Sequence, residues 1–392
     1  EAIECYDKAL AIDSQDAVTW NNKGFDLNEL GRHEEAVVCY NAALERDPQC
    51  TAAWNNKETV LDELGMTEEA VIAKITDEWI KGDKADALLK IEAFDMALKI
   101  DPQDVGTWRN KGKALVFLRR HEEAIECYDK LLEIDPQDVD AWSNKGRYLG
   151  SFLGRNNEAI ECYDKLLEID PLRDNAWNNK GIALNKLGRH EEAIECYNKA
   201  LAIDPQDVGT WRNKGLALIE LRRYGAVECF DKALEINPQN AEAWYDKGVA
   251  LVHFTRSKEA IECFDKALEI NPQFTKAWNN KGYTLTGSRR YEEAIECFDK
   301  ALEINPQDAD VWNYKGIDLV LLWRYEEAIE CFDKALEMDP QNVDARFNKE
   351  VLLGRTEDGK SISSPEEDVP AFEAVFGIAG LLAVAYLLRR RK

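Results

Sequence analysis

The sequence predicts an all-α fold, an α-solenoid of stacked helix-turn-helix units. Three observations predict it. Tryptophan returns as Trp20, Trp54, Trp108, Trp142, Trp177, Trp211, Trp244, Trp278 and Trp312, mostly 34 residues apart. Within one interval, 176–207, two apolar stripes run at three- and four-residue spacing. That interval closes on Asp204-Pro205. A fixed period of this length is the signature of a stacked helical array.

In that interval, Ile182, Ala183 and Leu187 share one face of a first helix, which Gly188 ends. Glu191-Glu192 then opens a second helix, with carboxylates near its positive end. Its stripe is Ala193, Ile194, Cys196, Tyr197, Ala200, Leu201 and Ile203. Asp204-Pro205 stops it, because the residue before proline avoids the helical region. Gly181, Ala193 and Ala200 are small enough for the two helices to approach, with Trp177 and Tyr197 filling the gaps between them.

Trp177, Gly181, Ala193, Tyr197, Ala200 and Pro205 stand in the order and spacing of the tetratricopeptide repeat family, which the stretch from Glu1 to Gly354 resembles. The resemblance implies helix pairs wound into a right-handed superhelix, with first helices lining a concave groove that takes protein or peptide ligands. Two positions depart from the family pattern. Lys180 and its equivalents stand where a leucine is usual, and Leu184 where a large aromatic is usual.

The chain carries a net charge of −25, although Arg389, Arg390, Arg391 and Lys392 close it. Such a surface repels nucleic acid and anionic headgroups, so neither is expected on the array. Most of the charge reads as a solvated outer face. The chain opens at Glu1 in mid-repeat, on a second helix alone, and is expected to be a fragment lacking its true N-terminus. The expected domains are a partial repeat at 1–16, repeats at 17–104, and seven more at 105–342. A capping helix at 343–354, a polar linker at 355–369 and a terminal segment at 370–392 complete the chain. The unit at 51–104 is 20 residues too long. Its surplus, near 72–91, reads as helix, break at Gly82-Asp83, helix.

Nine of ten cysteines, Cys5, Cys39, Cys127, Cys162, Cys196, Cys229, Cys263, Cys297 and Cys331, precede the Tyr or Phe of a second helix on its apolar side. Equivalent positions in stacked units lie ~10 Å apart, whereas a disulfide needs Cα atoms within ~7 Å. They read as core thiols, and Cys50, near a unit boundary, as the reactive exception. His33, His121 and His190 share a turn position with Tyr224, Tyr291 and Tyr325 and read as aromatic plates. His253 has no partner at ligand spacing. No catalytic or metal constellation emerges, and the expectation is a non-enzymatic protein with no cofactor and no small-molecule substrate.

The first helices carry the candidate site. The second residue after the tryptophan is Asn22, Asn56, Asn110, Asn144, Asn179, Asn213 and Asn280, with Asp246 and Tyr314 as exceptions. An amide both donates and accepts, which suits an extended peptide backbone. The alternative is that each asparagine satisfies a group between repeats. Arg109, Lys113 and Arg147, with Arg212 further on, add cations beside the row. Some family members hold a C-terminal carboxylate with such residues. A lysine row, Lys23, Lys57, Lys111, Lys145, Lys180, Lys214, Lys247, Lys281, Lys315 and Lys349, is expected to bury its stems and pair its heads with acids of the second helices.

The terminal segment pairs an apolar run, 374–388, with four cations. Fifteen uncharged residues reach ~22 Å as a helix, short of the ~30 Å hydrocarbon core. From Val369 the run is 20 residues with only Glu373 charged, which can span. The alternative, an amphipathic helix docked on the array, fits poorly with a run apolar on all faces. Pro370, Ala371, Phe372 and the residues that follow resemble the archaeal C-terminal sorting signal built on Pro-Gly-Phe, with Ala371 in place of glycine. The resemblance implies export, membrane attachment and replacement of the tail by a lipid. The cations stay inside, leaving the repeats outside. The reading is therefore a scaffold for protein or peptide partners at an archaeal cell surface. A structural spacer of the envelope and a cytoplasmic tail-anchored adaptor stand as alternatives.

Overall fold

In a computed structural model, residues 2–64, 66–67 and 84–357 are described. They contain twenty α-helices and no strand. The chain divides into two compact units, residues 1–188 and 189–392.

The first unit contains α1 (Ala2–Ile12), α2 (Ala17–Glu29), α3 (His33–Arg46), α4 (Thr51–Leu64) and α5 (Lys84–Ile100). It continues with α6 (Val105–Phe117), α7 (His121–Ile134), α8 (Val139–Ser151), α9 (Asn156–Ile169) and α10 (Asp174–Lys186). The second unit contains α11 (His190–Ile203), α12 (Val208–Glu220), α13 (Gly225–Ile236), α14 (Ala241–His253) and α15 (Ser257–Ile270). After these come α16 (Thr275–Gly287), α17 (Tyr291–Ile304), α18 (Ala309–Leu321), α19 (Tyr325–Met338) and α20 (Val343–Glu357). Even-numbered helices are the first of a repeat and odd-numbered ones the second. Within each unit a helix packs mainly on its neighbours in sequence.

Local chemistry sets these boundaries. From α3 onward second helices stop with one residue between them and a proline, and that residue leaves the helical region, as at Asp47 (φ −136°, ψ 93°) and Asp339 (φ −133°, ψ 94°). Most first helices start at an Asp or Asn whose side chain accepts from a free backbone N–H, as Asp138 does from Ala141 at 2.9 Å. Among the described residues α3 and the second helices from α7 onward have no side-chain cap. Their first turns carry acids instead, such as Glu292 and Glu293 on α17. The turn between the two helices needs a left-handed residue. Gly31, Gly154 and Gly188 supply it in three repeats, and Arg119, Arg222, Thr255, Arg289 and Trp323 are forced into it in five.

The core of each repeat is an aromatic plate on a glycine. The rings of Phe264, Phe298 and Phe332 are fully buried. A Cβ on Gly316 would stand 2.5 Å from Phe332 Cε1, so nothing larger than glycine fits there. The tryptophans do not fill this core. Of the nine repeating tryptophans only Trp20 is buried, while Trp54 is 53% exposed. Each indole N–H instead donates to a backbone carbonyl six residues earlier, from Trp244 to Pro238 at 2.9 Å through Trp54 to Pro48 at 3.2 Å. The indole thus clamps the loop between repeats. In α20, where Arg346 replaces tryptophan, its guanidinium donates to the Pro340 carbonyl at 2.5 Å.

Eight of the ten row lysines pair with an aspartate sixteen residues upstream on the preceding second helix, where Lys57 and Lys214 have Asn41 and Asn198 instead. In the first unit Lys23 meets Asp7 at 2.7 Å, and Lys111, Lys145 and Lys180 meet Asp95, Asp129 and Asp164. In the second unit Lys247, Lys281 and Lys315 meet Asp231, Asp265 and Asp299 at 2.5–2.6 Å, and Lys349 meets Asp333. All of these ammonium groups except Lys349 lie 5.4–5.6 Å from the tryptophan three residues before them, as at Trp108, Trp244 and Trp312.

Several expectations are corrected. Leu187 is the C-cap of α10 and is 38% exposed, not a core residue. Cys5 on α1 is exposed. The other eight cysteines at that position are buried free thiols. Burial raises Cys39 and Cys162 to about 12, so the nucleophilic thiolate is suppressed. The surplus at 72–91 falls partly outside the described residues, as does the break at Gly82-Asp83. Its last stretch belongs to the continuous helix α5, where Ile91 is buried and Glu92 bonds Arg46 of α3 at 2.9 Å. The linker at 355–369 lies outside from residue 358 onward, and the segment at 370–392 entirely so. Among the described residues no helix is long and apolar enough to cross a membrane.

Candidate interaction face on the first helices

The asparagine row divides by what the preceding repeat offers. Asn56 Nδ2 donates to Asn21 Oδ1 at 3.3 Å, and Asn280 Nδ2 donates to the Tyr245 hydroxyl at 2.7 Å. Asn348, at the same position in α20, donates to Asn313 Oδ1 at 2.9 Å. In each case the acceptor is the residue that follows the tryptophan one repeat earlier. At these positions the amide bridges repeats.

That bridge needs an acceptor, and arginine has none. Arg109 precedes Asn144 in this register, and it pairs instead with Asp138, the cap of α8. Asn144 Oδ1 consequently accepts from Arg147 at 3.1 Å, and Arg147 also donates to the Tyr148 hydroxyl at 2.9 Å. The exposed Arg147 guanidinium lies 4.9 Å from the Tyr148 ring centre. Asn110 and Asn179 are half-buried, and among the described residues their side chains make no hydrogen bond. Ser143 is the residue preceding Asn179 in the same register. Lys113 is half-buried one turn after Asn110 on α6. Asn22 is exposed and accepts from Asn21 at 3.4 Å.

In the second unit Arg212 is engaged internally. Its Nη2 meets Asp246 Oδ2 at 2.8 Å, with Nη1 on Glu242 at 2.5 Å. Asp246 takes the asparagine position, and its burial raises the carboxyl to about 6 despite Arg212. Asn213 is half-buried and bonded. Sequence reasoning missed a buried polar group further along. Asp318 is fully buried where other repeats have Ala183, Ala217 or Ala250. Its Oδ2 accepts from Thr286 Oγ1 at 2.8 Å, and Oδ1 has no partner among the described residues. The signal available was an acid in a column where four repeats have alanine, although Asp26, half-buried, stands there as well. No group of three or more His, Cys, Asp or Glu residues among the described residues could hold a metal ion.

Tetratricopeptide repeat descriptions match residues 17–50, 105–138, 127–161, 175–207, 209–240, 229–262, 275–308 and 309–342, more than half of the sequence. The chain is a tetratricopeptide repeat protein. A PGF-CTERM motif matches residues 372–391 of this repeat protein, so the tail carries that signal as well. Among solved structures, a tetratricopeptide repeat protein from Parabacteroides merdae is 19% identical, with a TM-score of 0.51. The match covers 64% of this chain and 99% of that one, a likeness of fold. YrrB, described as a TPR protein with an unusual peptide-binding site, is 26% identical over 49% of this chain and 99% of its own, with a TM-score of 0.42. The Cut9–Hcn1 hetero-tetramer is 18% identical over 86% of this chain and 76% of its own, with a TM-score of 0.48. No curated protein matches this sequence. Repeat proteins of this kind are generally non-enzymatic interaction scaffolds, and the PGF-CTERM motif points to attachment at a surface.

Proposed function

We propose that this repeat protein holds an extended peptide segment of a partner against the first helices α6, α8 and α10. Asn110, Asn144 and Asn179 would grip backbone amides, while Lys113 and Arg147 meet acidic groups. The observation that carries this reading is the pair of amides, Asn110 and Asn179, without hydrogen bonds among the described residues. Repeats spaced by ~10 Å match about three residues of extended chain at ~3.3 Å each. One asparagine per repeat therefore meets every third peptide group.

The proposal takes 17–104 and 105–342 as two blocks of repeats, closed by a capping helix at 343–354. The segment at 370–392 serves as sorting signal and membrane helix, holding the repeats outside an archaeal cell. The motif match at 372–391 and the four terminal cations support that orientation.

Selection of displayed peptides on the whole chain tests the face. Asn144→Ala with Asn179→Ala should weaken the selected binders about tenfold, at ~0.5–1.5 kcal/mol for each lost hydrogen bond, with the melting temperature unchanged. Binders indifferent to both substitutions would refute the face and leave the spacer reading. Protease shaving of whole cells with intact-mass analysis tests the tail. Repeats that survive shaving while residues 372–392 are retained would place them on the cytoplasmic side.

A further inference from the structure

The repeat at 208–240 departs from a charge rule that most of the second unit obeys. In the repeats beginning at 275 and 309 the turn is followed by a glutamate pair, Glu292-Glu293 and Glu326-Glu327. The turn arginine is then bridged three residues on, Arg290 to Glu293 at 2.6 Å and Arg324 to Glu327 at 2.5 Å. At 208–240 the turn reads Arg222-Arg223-Tyr224-Gly225-Ala226, so Gly225 stands where the acidic pair belongs. Ala226, three residues after Arg223, offers no carboxylate. Arg223 reaches back to Glu191 on α11 at 3.2 Å, a pair more than half exposed on both sides and therefore weak. Arg222, exposed at φ +52°, meets no carboxylate among the described residues.

The next turn adds to this surface. Arg256 and Lys258 stand there against Glu259 alone. Arg256 bonds Glu259 and also lies 5.5 Å from the Tyr224 ring centre. Tyr224 is 49% exposed, and its ring packs 5.1 Å from Phe254. His253 adds no cation at neutral pH, since burial and then the Arg222 charge pull it below its ordinary value. Two adjoining turns thus form a cationic, aromatic surface on a chain of net charge −25.

We propose that this surface docks an acidic peptide segment of a partner protein, with carboxylates on Arg222 and Arg223 and an apolar side chain against Tyr224 and Phe254. The partner supplies the carboxylates that neighbouring repeats carry in their own sequence. A short segment fits because its charges end where the patch ends. A long polyanion or an anionic membrane would extend over the acidic repeats and be repelled within a Debye length of ~8–10 Å. The docking surface lies on the helix–helix turns rather than the first-helix face, so it stands or falls apart from the peptide-holding role.

The probe is a fluorescein-labelled Glu-Glu-Phe-Glu-Glu peptide, followed by anisotropy on the intact chain at low salt. Gly225→Glu restores an internal acid. A Cβ there meets only Leu218 Cδ1 at 3.8 Å, so the fold tolerates it. Gly225→Glu, and separately Arg222→Gln with Arg223→Gln, should each weaken binding about tenfold. Arg119→Gln with Arg120→Gln is the matched control. Arg119 has the same left-handed backbone (φ +61°), and that turn keeps Glu122-Glu123. It should leave binding within about twofold. Parental affinity in the Gly225→Glu chain, or equal loss in the control, overturns the proposal. So does displacement of the peptide by an oligonucleotide or anionic vesicles of equal charge, or self-association that the Arg222/Arg223 pair abolishes.

Discussion

Asp318 shows how one side chain can work against the element that carries it. Four repeats have alanine in its column of the first helices, and its environment is a tight interface between repeats. Desolvation raises the carboxyl to about 8, against the opposing bond from Thr286. The folded chain therefore keeps a proton between about pH 4 and 8 that the unfolded chain releases. Stability falls as pH rises through that window, by at most about 1.4 kcal/mol per pH unit. Asp318→Ala removes the linkage, and Thr286 Oγ1 retains the Gly282 carbonyl at 3.1 Å. The variant should melt close to the parent near pH 4 and above it at pH 8. A gain independent of pH would mean that Asp318 is charged when folded.

At the scale of helices, the contacts that join one repeat to the next repeat with the sequence period and fail where one letter changes. The lysine–aspartate bridge ties a first helix to the second helix before it. Lys214 has Asn198 at the upstream position, and no carboxylate bridge forms there. Asn198→Asp should restore it and add ~0.3–1 kcal/mol, since comparable aspartates are nearly half exposed. Denaturant melts of Asn198→Asp, Lys214→Met and the double variant measure the coupling. A zero coupling energy would assign the row's value to the tryptophan contacts instead. The tryptophan clamp belongs to the same scale, because it turns a flexible Asp-Pro-Gln loop into a fixed corner.

For the molecule as a whole, stability is a sum over repeats and their shared faces. In the second unit, Phe230 and Phe264 lie in one buried cluster with Leu218, Leu251 and Cys263, spanning two successive repeats. Phe264→Ala should cost ~3–5 kcal/mol. Hydrogen exchange should then accelerate through α12–α17, beyond the mutated α15. Loss confined to α14 and α15 would mean that the repeats fold independently.

Periodicity and turn chemistry are local, so the sequence by itself determined the helix pairs, their ends before proline, the turn at Gly188 and the burial of Cys39 or Cys162 beside an aromatic. The family followed from the same spacing. Contacts between repeats depend on which residue stands one period away, and only the tertiary structure decided those. It separated Asn56 and Asn280, bonded across repeats, from Asn110 and Asn179, which are not. It gave eight of the ten row lysines a particular aspartate, turned the tryptophans from core fillers into loop clamps, and left Leu187 and Cys5 exposed. The physical reason is that a stripe of residues marks a face, whereas burial and hydrogen bonding depend on the neighbour packed against that face.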